Sequence, residues 1–147
     1  MHNCALLHVE DDDAAAFLFR MALDEAEIQT SVYRVSDGQS AMDFLRKAGA
    51  YRHARSPDLI VLDLNLPRLD GWTVLAELRK MEEFRSTPVV IGSSAPAFHN
   101  ARKAHLAGAQ RYVQKGFDFH SFVAEVKQCC AVYLSREQTP AGLWTEV

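Results

Sequence analysis

Charged and hydroxyl groups stand at the ends of apolar runs in this chain, where they could act together. Glu10 and Asp11 follow "CALLHV", Asp63 closes "LIVLD" with Asn65 two residues on, Ser93 and Ser94 end "TPVVIGSS", and Lys115 ends "RYVQK". A carboxylate in an apolar run is costly unless something compensates its charge. Several carboxylates in one cleft repel each other, and a hard divalent cation is the usual remedy. Mg2+ takes oxygen ligands in octahedral geometry and keeps several waters. It also offsets charge on a phosphoryl group, so that an anionic carboxylate can attack an anionic donor. Asp63, central in the set, has the place of that nucleophile, and aspartyl phosphates are a known type of covalent intermediate. Lys115 would give a point charge to the phosphoryl oxygens, and Ser93 a hydrogen bond. Taken singly, each residue has a plainer account. Glu10, Asp11 and Asp12 serve as acids at a helix start, Asp63 as a solvated strand end, Lys115 as a surface lysine and Ser93 as a helix cap. The plainer accounts fail jointly if all these groups reach the same edge of one sheet.

The elements between them supply that edge. Residues 4–9, 29–36, 59–64, 87–94 and 111–115 read as strands, and 14–27, 37–49, 72–84, 97–108 and 118–134 as helices. Helical spacing is plainest at Ala14, Phe17, Leu18, Met21 and Ala22, with Asp12 and Asp13 before them as capping residues. Asp37 opens the second helix and Gly49 ends it. Strands alternating with helices imply a parallel sheet covered on both faces. The fold class expected is α/β, a flavodoxin-like doubly wound (βα)5 sheet in strand order 2-1-3-4-5. In such a sheet ligands bind beyond the carboxyl ends of the strands, at the switch point between the first and third.

The chain has 147 residues, 48% of them hydrophobic, with net charge −3. That suits one domain with one core. No basic block argues for nucleic acid. No apolar run approaches the length of a membrane span, and "MHNCALLHVEDDD" is not a signal peptide. A cytoplasmic location is the expectation. Cys4, Cys129 and Cys130 form no metal or redox motif and read as small buried apolar residues. No phosphate-binding glycine motif follows the first strand, which argues against a nucleotide-binding enzyme or phosphatase on a similar sheet.

Together "LLHVEDDDAAA", "PDLIVLDLNLPRLDGW", "TPVVIGSSA" and "GAQRYVQKGF" resemble the receiver domain of two-component response regulators, over roughly residues 4–134. Glu10–Asp11 in place of Asp-Asp, "DLNLPRLDG" and "FLRKAGAYRHARSPDL" resemble the stand-alone phytochrome-associated branch. The resemblance implies that Asp63 is the phosphoacceptor. It implies that Mg2+ is held by Glu10, Asp11, Asp63 and the Asn65 backbone carbonyl, and that Lys115 contacts the phosphoryl group. Ser93 and Tyr112 are then the switch residues. The implied donor is a sensor histidine kinase, of phytochrome type by the resemblance to that branch, and the domain is a signalling module with its own phosphorylation and dephosphorylation chemistry, not a metabolic enzyme. The division expected is a receiver over 1–134 and a short tail over 135–147, with no output domain. It would signal by phosphorylation-controlled protein binding, or as a homodimer through the fourth helix, fifth strand and fifth helix, or through the fifth helix and tail. The alternative is a degenerate receiver that never carries phosphate and acts as an interaction module.

Four departures from the family pattern carry expectations of their own. Lys115 is followed by Gly116 where the family has proline, so a trans bond is expected there. Gly92 replaces a large aliphatic and should weaken packing. His8 replaces an aliphatic in the first strand and reads as a hydrogen-bonded core histidine, with a ligand role as the alternative. The fourth helix has few large apolar residues besides Phe98 and Leu106 and should be loosely held. Leu143 and Trp144 in the polar tail hint at docking.

Overall fold

A computed structural model describes residues 4–115 and 118–134. Five parallel strands lie in the order β2-β1-β3-β4-β5. They are β1 (Ala5–Val9), β2 (Ser31–Val35), β3 (Leu59–Asp63), β4 (Val89–Ser93) and β5 (Arg111–Gln114). The helices are α1 (Asp13–Glu25), α2 (Gly38–Leu45), α3 (Gly71–Lys80), α4 (Ala97–Leu106) and α5 (Phe119–Tyr133). This is the expected flavodoxin-like fold.

Alternation along the strands builds a core on each face of the sheet. Leu7, Val9, Ile60, Leu62, Val89 and Ile91 pack with α2, α3 and α4. Leu6, Leu59 and Val90 face the other way and pack with Phe19 and Leu23 of α1 and with Val126, Cys129 and Cys130 of α5. Burial pushes the Cys129 and Cys130 thiols up to about 12, so both are inert apolar fillers, as read.

Aspartates set the helix starts. Asp12, Asp37, Asp70 and Asp118 each accept a hydrogen bond from a backbone N–H in the first turn of α1, α2, α3 and α5. The ends differ from expectation. α2 stops at Leu45 and not at Gly49: Lys47 already takes the left-handed conformation (φ 55°), and Gly49 takes it again (φ 57°) at the following 3-10 turn. α3 stops at Lys80 because Met81 is extended (ψ 119°), and Glu82–Phe84 form a separate 3-10 turn.

Arg79, near the end of α3, ties several loops together. Its guanidinium donates to the carbonyls of Phe84, Arg85, Thr87 and Gly108 and to Gln110 Oε1. Gln110 Oε1 in turn accepts from the Val89 N–H at 2.7 Å. Sequence reasoning missed this clasp.

α4 buries only Ala104, while Phe98 is 83% and Leu106 73% exposed. Its two large apolar residues thus point outward. Lys103 lies over the Trp72 ring, 4.3 Å from its centroid.

Candidate functional site at the carboxyl edge of the sheet

Parallel pairing brings the last residues of all strands to one edge. Asp63 pairs in register with Gly92, and Ser93 with Gln114. The Glu10 N–H continues the ladder to Val35 O at 3.0 Å, and the Lys115 N–H to Ser93 O at 2.7 Å. Each side chain singled out in the sequence therefore leaves the sheet at the same rim.

Glu10, Asp11 and Asp63 offer carboxylate oxygens that lie within 4.8 Å of one another. Asp12 is spent on capping α1, through the Ala15 N–H at 2.9 Å. That explains one acid of "EDDD"; Glu10 Oε2 accepts the Asp12 N–H at 3.3 Å, which leaves its other oxygen to face the cluster. Glu10 is buried, Asp63 is 8% exposed, and Asp11 is open to solvent.

Lys115 Nζ reaches into this group, 2.6 Å from Glu10 Oε1 and 3.4 Å from Asp63 Oδ2. Burial, aided by the Asp63 charge, holds the Glu10 carboxyl above its usual range even though Lys115 pulls the other way. Burial opposes the charge on Lys115, but Glu10 and Asp63 outweigh it and raise the lysine pKa. The lysine is thus firmly cationic. The other Asp63 oxygen, Oδ1, accepts the Asn65 N–H at 3.2 Å, which fixes the plane of the carboxylate.

Gly71 sets how near α3 comes to this edge. A Cβ there would lie 2.3 Å from the Asp63 carbonyl oxygen, so only glycine lets the helix start against the strand end. Gly38 does the same for α2, where a Cβ would lie 1.7 Å from Leu69 O in the β3–α3 loop. The Gly38 N–H also donates to Pro67 O at 3.3 Å, and Arg68 pairs with Asp37 at 3.3 Å.

Ser93 is buried, and its Oγ accepts the Ala95 N–H at 3.2 Å. Tyr112 donates its hydroxyl to Ala95 O at 2.9 Å. His8 is buried as read but is not the hydrogen-bonded core histidine expected. Among the described residues its ring has no hydrogen-bond partner and rests on Phe19, with centroids 4.3 Å apart. The Lys115–Gly116 bond, Leu143 and Trp144 lie outside the described residues.

Clustered hard oxygens beside a fixed lysine form a donor set suited to a small divalent cation. This fold and this edge define a class. Residues 6–127 match the family model of the response regulator receiver domain, and the chain belongs to that family. The relatives narrow it further. Response regulator Rcp1 of Synechocystis sp. (strain PCC 6803) is 40% identical over 86 residues, 58% of this chain and 58% of Rcp1. The chain thus spans less than two thirds of that relative in the match. The crystal structure of the phosphorylated cyanobacterial phytochrome response regulator RcpA superposes with TM-score 0.83 at 33% identity, covering 91% of this chain and 96% of that one. The Mn2+-bound form of Rcp1 gives TM-score 0.82 at 28% identity, covering 93% and 99%.

Proposed function

We propose that this receiver takes a phosphoryl group on Asp63 from the phosphohistidine of a sensor histidine kinase and signals by binding a partner protein in its phosphorylated form. The observation that carries the proposal is the Asp63 carboxylate, grouped with Glu10 and Asp11 within 4.8 Å and faced by Lys115 at 3.4 Å. A merely solvated strand end needs neither.

Glu10, Asp11, Asp63 and the Asn65 backbone carbonyl are the residues that would hold Mg2+. When bound, the ion would offset the negative charge of the entering phosphoryl group. The Asn65 N–H orients the Asp63 carboxylate, which attacks phosphorus as the P–N bond breaks and its electron pair leaves with the imidazole. Lys115 then moves its charge onto the phosphoryl oxygens, and Ser93 donates a hydrogen bond to one of them. Tyr112, joined to Ser93 through Ala95, carries the change toward the surface of α4, β5 and α5. This is regulatory chemistry, made and unmade on the protein itself.

The likeness to RcpA, a phytochrome response regulator by its own description, supports a phytochrome-type kinase as the donor. A homodimer through α4, β5 and α5, or through α5 and the tail, is the second mode of signalling proposed.

The test is intact mass after incubation with acetyl phosphate, with and without Mg2+, beside Asp63→Asn. A Mg2+-dependent gain of one phosphoryl group, absent from the variant, is expected. An unmodified wild type under conditions where Mg2+ binding is measured separately would favour a receiver that never carries phosphate.

A further inference from the structure

Between the sheet and the pair of helices α1 and α5 lies a cavity of about 250 Å3. Gly92 lines it and leaves part of it open. Gly92 follows Val90 on the α1/α5 face of β4, where the neighbouring strands present Val61 and Val113. A Cβ on Gly92 would meet only Lys115 Cε, at 3.5 Å, within 4 Å among the described residues. That is ordinary contact, so neither the backbone nor its surroundings require glycine here. The space is simply unfilled, and interiors seldom leave such space.

The walls are mostly apolar, with aromatic rings from Phe19 and Phe122. Leu18 and Phe119 also line it, 45% and 38% exposed, so the cavity reaches the surface between α1 and the start of α5. The charged groups at its border are already matched. Glu10 holds Lys115 at 2.6 Å, and Glu125 pairs with Arg111.

His8 is the exception. It is 5% exposed, lines the cavity, and has no hydrogen-bond partner among the described residues. A neutral imidazole offers one donor and one acceptor. Buried polar groups are nearly always satisfied, and one that is not needs an explanation.

We propose that this cavity binds a small uncharged aromatic molecule of one or two rings, carrying a single hydroxyl or ring N–H that hydrogen-bonds to His8. Phenols and indoles are the matching class. An engineered apolar cavity of about 150 Å3 takes benzene, so the space here admits a second ring. The walls supply affinity and the one polar group fixes orientation. The cavity shares Glu10 and Lys115 with the acidic edge, but binding in it does not depend on the proposed phosphoacceptor chemistry.

The experiment is a titration of the full chain with indole, followed by amide NMR, beside Gly92→Leu and His8→Leu. Saturable shifts at His8, Gly92 and Val113 are expected in the wild type. Gly92→Leu should abolish them, and His8→Leu should weaken indole about tenfold while naphthalene, which lacks the polar group, binds at least as well as before. Should Gly92→Leu fold poorly, judged by its melt, Gly92→Ala takes its place with a partial loss expected. No saturable shift up to the solubility of indole would overturn the proposal. So would indole binding indifferent to both substitutions, or a crystal soaked in indole that shows only ordered water at His8.

Discussion

Lys115 spans the carboxyl edge of the sheet to hold Glu10, its Nζ 2.6 Å from Glu10 Oε1 across 105 residues of chain. Without it a buried carboxylate would face Asp63 with no counter-charge. Breaking a buried pair from one side leaves the other charge unmatched. Lys115 is 30% exposed, so the cost is below that of a fully buried pair. Lys115→Met should lose about 1–3 kcal/mol in urea unfolding at neutral pH. A loss within about 0.5 kcal/mol, the range of ordinary surface changes, would show that Glu10 has other means of support.

Removing the charge of Glu10 should act in the opposite sense. The carboxyl pKa is raised, chiefly by burial. A group with a raised folded pKa contributes stability below its unfolded value and loses it as pH rises through the folded one. At neutral pH, with chelator present, ionised Glu10 weighs against the fold, and Glu10→Gln should melt above wild type. Added Mg2+ should raise the wild-type melt more than that of the variant. Calorimetry in chelator and in millimolar Mg2+ checks both, and a variant melting lower in chelator would refute the first.

Three glycines should respond differently to one added methyl. Gly71→Ala drives Cβ to 2.3 Å from Asp63 O, and Gly38→Ala to 1.7 Å from Leu69 O, both backbone atoms that cannot swing aside. Each should cost about 3 kcal/mol and displace the loop that carries Asn65. Gly92→Ala, with its nearest atom at 3.5 Å, should cost less than about 1 kcal/mol. Urea midpoints of the three variants compare them directly.

Asp37 gives a pH test away from the acidic cluster. Burial raises its pKa, but the Ser40 N–H and Oγ and the Arg68 charge outweigh it and hold the carboxyl below its ordinary 3.8. Such a group stabilises the fold above its unfolded pKa, and that stability is lost as pH falls through the folded value. Asp37→Ala should cost about 1 kcal/mol at pH 7 as a lost cap. The gap from wild type should narrow as pH falls below 3.8. A gap constant with pH would mean that the charge of Asp37 does not matter.

α4 should exchange its amide hydrogens faster than α3. It buries Ala104 alone, whereas α3 buries Gly71, Val74, Leu75 and Leu78. Local opening is easiest where few apolar contacts resist it. A protection difference of about tenfold or more is expected in hydrogen exchange, and equal protection would contradict the loose anchoring.

The strand order and the grouping of Glu10, Asp11, Asp63 and Lys115 were legible because parallel topology converts strand ends into neighbours. Asp63 stood out as a charge in an apolar run. Arg79 could not be found that way. An arginine in the last turn of a helix reads as a partner for the helix dipole, and its carbonyl partners come from loops whose positions only the fold defines. His8 was legible as buried, but whether a ring finds a partner depends on its neighbours, and here those are Phe19 and an open cavity. Gly92 signalled weak packing without signalling where the missing volume would collect. The end of α2 was misjudged because Gly49 looked like the stop, while Lys47 accepts the left-handed turn earlier.

Ala95 is held at both its polar groups, its N–H by Ser93 Oγ and its carbonyl by the Tyr112 hydroxyl. Two side chains on adjacent strands thus share one residue as their hinge pin. If Ser93 turns away alone, the Ala95 N–H is stranded. If Tyr112 turns alone, the carbonyl is. Each half-move forfeits a hydrogen bond, and only a joint move lets Ala95 find new partners for both groups. Under the proposed function the linkage would behave as a latch with two keys, at rest or thrown, and would give a continuous surface a discrete output.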